Sequence, residues 1–159
     1  MVVKVNKLAI VRLRGRVGVR GEVKDTLRML NLTRPNYCTL VDDNPSFRGM
    51  LEKVKEMATW GPIKPEVLEE LLVKKGEFSD GRSFSSEEIK KLTPYDTVSD
   101  LAGSIVKGDY DLDDINDLRK IFRLHPPKKG YESLRRGFEH GGALGDRGEE
   151  VNNLILRML

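Results

Sequence analysis

Residues 8–63 switch back and forth between two hydrophobic periods, and that alternation restricts the fold more than any other feature. LAIVRLR (8–14) alternates as a strand does: Ala9, Val11 and Leu13 share one face, while the other begins apolar with Leu8 and Ile10 and turns basic at Arg12 and Arg14. After the glycine-punctuated GRVGVRG, residues 22–32 take the helical period, with Val23, Leu27 and Leu30 on one stripe. YCTLVD (37–42) is rich in β-formers and predicts a second strand. Asn44 then offers an N-cap and Pro45 a first helical position. Phe47, Met50, Leu51, Val54 and Met57 follow at i, i+3, i+4 and i+7 spacing, and ATWGPI (58–63) closes the unit as a third strand. The expected core is therefore strand–helix–strand–helix–strand, a three-stranded sheet with helices on one face and the other face open to a partner.

Pro62 and Pro65 bracket a boundary. Beyond it, PEVLEELLVKK (65–75), SEEIKKL (86–92) and TVSDLAGSIVK (97–107) read as helices, and a fourth is expected from Asp111 or Asp113 to about Ile121. From 119 a basic strand-loop segment is expected, either strand-loop-strand or one strand with a long loop: FRLHPPKKGYESLRRGFEHGG (122–142) starts like a strand and continues basic and poor in apolar side chains. A segment of this kind costs ordering entropy and returns little burial, which points to a partner that orders it. Residues 146–158 close as a helix with Val151, Leu154, Ile155 and Met158 on one side. The division expected is 1–63, 64–118 and 119–159.

Charge follows that division. Residues 1–63 carry twelve Lys/Arg against six Asp/Glu, 64–118 seven against fourteen, and 119–159 nine against five. A polyanion surface must then come from the two ends, with the acidic middle facing water or another protein. The single cysteine, Cys38, excludes an intrachain disulfide and a cysteine zinc cluster, and within YCTLVD it reads as a small buried hydrophobe. No stretch approaches the ~20 apolar residues of a membrane span, and the opening MVVKVNKLAIVRLRG lacks a signal-peptide run. A reducing cytoplasm is the expected compartment.

Local motifs for catalysis or cofactor binding are weak. Asp109, Asp111 and Asp113 open like a calcium loop, but the sixth position is Asp114 instead of Gly and the twelfth is Lys120 instead of Glu. The glycine clusters GRVGVRG and GGALGDRG fit neither nucleotide-loop spacing. Neither His125 nor His140 belongs to a recognisable nucleophile constellation. The expectation is no enzyme, no cofactor, no metal and no small-molecule substrate.

The basic segments remain. Lys4, Lys7, Arg12, Arg14, Arg16 and Arg20 occur without an acid before Glu22, and Arg123, Lys128, Lys129, Arg135 and Arg136 lie among prolines and glycines with Tyr131 and Phe138 interleaved. Such cations neutralise phosphates and release counterions, and aromatics can stack on unpaired bases. RNA is the expected partner.

LRGRVGVRGEVKDTLRMLNLTRPNYCTLVDDNPSFRGMLEKVKEMATWG (13–61) resembles the core of the family of large-subunit ribosomal protein thirty, most recognisably in TLRMLNL and RGMLEKV. FRLHPPKKG (122–130) and HGGALGDRGEEVNNLILRM (140–158) resemble the long archaeal form, whose eukaryotic relative is large-subunit protein seven. The resemblance covers nearly the whole chain and is weakest across 76–100. It implies an α+β fold with a core related to the ferredoxin-like arrangement and an added helical region. It also implies a non-catalytic constituent of the large ribosomal subunit, with large-subunit ribosomal RNA and neighbouring ribosomal proteins as partners. Family RNA contacts map onto Arg12, Arg14, Arg16, Arg34, Arg48 and Lys53 of the core. In the extension they map onto Arg123, His125, Pro126, Lys128, Lys129 and the Gly141-Gly142 turn. Arg20, Arg135, Arg136 and His140 complete the candidate set on charge alone. An RNA-binding regulator acting away from the ribosome would use the same chemistry, and a small-ligand enzyme on the same sheet is the third reading.

Overall fold

In the computed structural model, which describes residues 7–15, 18–115 and 117–159, the central strand is β1 (Lys7–Arg12). It pairs antiparallel with β2 (Tyr37–Asp42) on one side and β3 (Ala58–Pro62) on the other. Helices α1 (Gly21–Met29) and α2 (Pro45–Lys53) connect them, so the expected βαβαβ unit is present. Asn44 caps α2 as its sequence suggested, its side-chain oxygen accepting from the Phe47 amide at 2.9 Å. Leu30 ends α1, and Asn31 at φ 63° turns the chain out of the helix.

Three further strands widen this core to six, in the order β4-β2-β1-β3-β6-β5. β4 (Ile121–Arg123) lies antiparallel to β2, and β6 (Gly142–Asp146) lies parallel to β3 with β5 (Ser133–Gly137) outside it. The basic C-terminal segment thus supplies both edges of the sheet. The chain fastens it internally: the His125 amide donates to Met158 O at 3.0 Å, and the Lys128 amide to Arg157 O at 3.0 Å. Phe122, Ala143 and Leu144 from the same segment are buried.

Both faces of the sheet are covered, which corrects the expectation of an open face. Leu8 and Ile10 pack with Leu27, Leu30, Leu51 and Trp60 beneath α1 and α2. Ala9, Val11 and Cys38 pack on the opposite side with α3 (Pro65–Lys75), α5 (Val98–Lys107) and α6 (Glu150–Met158). A strand apolar at consecutive positions, as 8–11 are, has no face to give to water. The helices of the acidic region supply that second layer through Leu68, Leu71, Leu72, Leu101 and Ile105.

α4 (Ser86–Leu92) forms where its pattern places it. The helix expected from Asp111 to Ile121 does not. Among the described residues of that stretch, the helical part is one 3-10 turn, Leu112–Asp114, and Asp117 takes φ 62°, which no continuing helix accommodates. The Asp111 carboxylate accepts from the Asp113 amide at 3.3 Å, a local bond that competes with helical pairing in so Asp/Asn-rich a run. Lys120, the cation that spoils the calcium-loop pattern, pairs with Asp113 at 2.8 Å. Buried Lys7 pairs with Asp42 at 2.5 Å and Asp111 at 3.8 Å, tying β1 to the acidic region.

Candidate nucleic-acid interface

Two of the candidate cations are turned to structural use. Arg12 occupies an even position of β1, so the alternation that sends Leu8 and Ile10 beneath α1 and α2 carries it inward as well. Only 4% of it is exposed, and its guanidinium donates to Leu32 O at 2.8 Å and Arg14 O at 2.9 Å. Its place inside the sheet removes it from the accessible set. Arg48 is half-exposed on α2 and engages both carboxylate oxygens of Asp43, at 2.7 and 2.9 Å, with Asp146 at 3.5 Å. The hydrogen bond to Arg48 holds the Asp43 carboxyl below the usual carboxylate range, and the same bond raises Arg48.

Arg14, Arg20 and Lys53 come together. Arg14 follows β1, Arg20 is the residue before α1, and Lys53 ends α2. With Lys55 they line one surface concavity, whose rim also holds Glu52 and Glu56. Arg14 donates to Glu56 O at 3.4 Å, and Lys53 lies 3.5 Å from Glu22. Arg16 lies outside the described residues.

The remaining candidates divide between the two ends of the sheet. Arg123 is exposed on the edge strand β4 opposite Tyr37, with Arg34 exposed in the nearby loop before β2. His125 follows, and Pro126 leads to the exposed turn of Lys128 and Lys129. There Lys129 at φ 68° and Gly130 at φ 71° reverse the chain, and Arg157 braces the turn by donating to Gly130 O at 3.2 Å. Arg135 and Arg136 are exposed on β5, the opposite edge, and His140 is exposed before the Gly141-Gly142 turn. The structure therefore brings these residues to two borders rather than to one patch.

The interleaved aromatics serve the fold. Tyr131 donates its hydroxyl to Asn36 Oδ1 at 2.7 Å, and burial pushes its pKa up to about 12. Phe138 lies under the Arg147 guanidinium, 5.2 Å from ring to carbon. Arg147 itself, absent from the candidate set, is buried, with its pKa lowered chiefly by burial. Cys38 is fully buried, as its strand context suggested.

Outside the candidate set, Lys24 and Arg28 line another concavity, and Arg119 and Lys120 line its neighbour. The only sequence signal for them was the i, i+4 spacing of Lys24 and Arg28 off the apolar stripe of α1. Among the described residues no group of three or more His, Cys, Asp or Glu side chains is placed to hold a metal ion, and no helix is long and apolar enough to cross a membrane.

Fold and surface define a small α+β protein with a βαβαβ core, an extended mixed sheet and cations gathered at its borders. Comparison with known proteins makes the class specific. The family model described as Ribosomal protein L30p/L7e matches residues 8–57, which is β1 through α2. The large ribosomal subunit protein uL30 of Methanopyrus kandleri is 45% identical over 149 residues, covering 92% of this chain and all of that protein. Those of Methanobrevibacter smithii and Thermoplasma volcanium are 41% and 40% identical, covering 94% and 96% of this chain and 98% and 92% of their own lengths. The chain belongs to the uL30 family.

Proposed function

We propose that this protein is a structural constituent of the large ribosomal subunit that binds large-subunit ribosomal RNA and supports translation in the cytoplasm without a catalytic role of its own. The observation that carries this reading is similarity along nearly the full chain to archaeal proteins named for that subunit. Physical chemistry supports it. Exposed Arg14, Arg20, Lys53, Arg123, Lys128, Lys129, Arg135 and Arg136 can each neutralise a phosphate, while His125, His140 and Arg34 add donors beside them. Arg12 and Arg48 act one step back, holding loops and strand ends in place.

In this reading 1–63 is an RNA-binding core, 64–118 an acidic helical region and 119–159 a basic extension. The outward carboxylates of the acidic region suit a basic neighbouring ribosomal protein rather than RNA. The test is sedimentation of cell lysate on a low-salt sucrose gradient. The protein is expected in the large-subunit and whole-ribosome fractions, and its confinement to the soluble top of the gradient would overturn the proposal.

A further inference from the structure

We propose that a groove formed by Lys24 and Arg28 of α1, the loop residues Asn31 and Thr33, and Arg119 and Lys120 before β4 is a separate binding site for the phosphodiester backbone of RNA. The proposal rests on the RNA-binding reading above and adds a site made of residues which that reading does not use.

The groove is two adjoining concavities that share Thr33. Lys24 and Arg28 stand one helical turn apart on the same side of α1. The left-handed Asn31 folds the chain back beside them. Pairing of β4 with β2 then carries the preceding residues to the same place, where Lys120 O accepts from the Thr39 hydroxyl at 3.2 Å. Cations far apart in sequence are in this way set along one depression.

Its lining distinguishes it. Among the described residues no carboxylate lines either concavity, whereas Glu52 and Glu56 rim the Arg14–Arg20 concavity; Asn31 and Lys120 also border the concavity beside Lys7, where Asp42, Asp111 and Asp113 stand. The carboxylates that do pair with its cations lie outside it. Asp25 is 3.7 Å from Arg28, Glu77 is 3.8 Å from Arg119 and Asp113 is 2.8 Å from Lys120. The Arg28–Asp25 and Lys120–Asp113 pairs are solvent-exposed and contribute little, so they exchange readily for a phosphate, while Arg119 is half-buried and also donates to Ser79 O at 3.3 Å. The Asn31 amide and Thr33 hydroxyl, both exposed, place neutral donors between the cations, a combination suited to phosphate and sugar oxygens.

The test measures binding of the purified full-length protein to transcribed large-subunit ribosomal RNA across a salt series. The double variant Lys24→Gln/Arg28→Gln and the single variant Lys120→Gln are compared with Lys74→Gln/Lys90→Gln, an equal charge change on the acidic helices. Lys24→Gln alone, at an exposed helix position, guards against a folding defect in the double variant. Each phosphate that is no longer neutralised should lower the log–log salt slope by roughly 0.7–0.9. The groove variants are expected to show this shallower slope while the control keeps that of the wild type. Unchanged slopes in the groove variants, or an equal decrease in the control, would overturn the groove and leave RNA binding standing. A wild-type protein without affinity for this RNA would overturn both.

Discussion

Arg147 donates from Nε to the Thr59 hydroxyl at 2.8 Å, and that bond joins the turn after β6 to the start of β3. Thr59 passes the connection on by donating to Gly145 O at 2.7 Å, and Arg147 Nη2 donates to Ala143 O at 2.7 Å. Both side chains are buried, so loss of the guanidinium leaves carbonyl and hydroxyl oxygens short of donors. Arg147→Met is expected to cost about 2–4 kcal/mol and Thr59→Val about 1–2 kcal/mol. Because the two residues share a bond, the double variant should lose less than the sum of the singles. Urea unfolding with an unchanged slope checks this, and a loss within error of zero for Arg147→Met would contradict it.

Gly61 on β3 faces the same turn. A Cβ there would run into the carbonyl oxygen of Gly148 and crowd Val151, both fixed at the entry to α6. Gly61→Ala should therefore destabilise the protein by about 1–3 kcal/mol. Gly103, within α5, has open space at its Cβ position, so Gly103→Ala should stabilise by about 0.5–1 kcal/mol through helix propensity. Thermal melts of the two variants should move in opposite directions.

Asp43 provides a pH signature. Its folded pKa is held down first by the hydrogen bond from Arg48. A depressed folded pKa means a contribution to stability that is complete above the ordinary value of about 3.9 and is lost as pH falls through the folded value. Carboxyl NMR titration should place Asp43 below that ordinary value, and Arg48→Gln should return it upward. An Asp43 titration unmoved by the substitution would remove Arg48 as the cause.

Cys38 should be inert in the folded protein. Burial pushes its thiol up to about 12, far from the thiolate that alkylating reagents require. At pH 8 an aromatic disulfide reagent should modify none of it in the native state and one thiol per chain in denaturant. Rapid native modification would show the β2–β4 region opening readily.

The core was legible because its signals were local. The strand at 8–14, the Asn44-Pro45 helix start and the α6 stripe each depend on neighbours a few residues away, and each appears where its pattern places it. What escaped depends on partners distant in sequence. The unbroken apolar run 8–11 argued for cover on both faces, but nothing in Ala9 or Val11 identifies Leu68 and Ile105 as the residues that supply it, and the second face looked open. Arg12 looked like a surface cation because charge alone does not reveal Leu32 O at 2.8 Å. The helix after Asp111 failed where Asp and Asn side chains compete for backbone bonds, a cost visible in propensity but masked by the preference for acids at helix entries. Of the proposed contact surface, sequence indicated the basic segments; their division between opposite sheet borders required the pairing of β4 with β2 and β6 with β3.

That pairing also sets an order of events in synthesis. β2 and β3 both acquire their outer neighbours from residues beyond 119. A nascent chain emerging N-terminus first can assemble the three central strands early, yet it carries two bare strand borders until the final residues follow. Unpaired borders recruit other chains, and long-range closure is slow. Between release of β3 and release of β6 both borders stay unpaired, so that interval is when pairing with another chain is expected to compete most with folding.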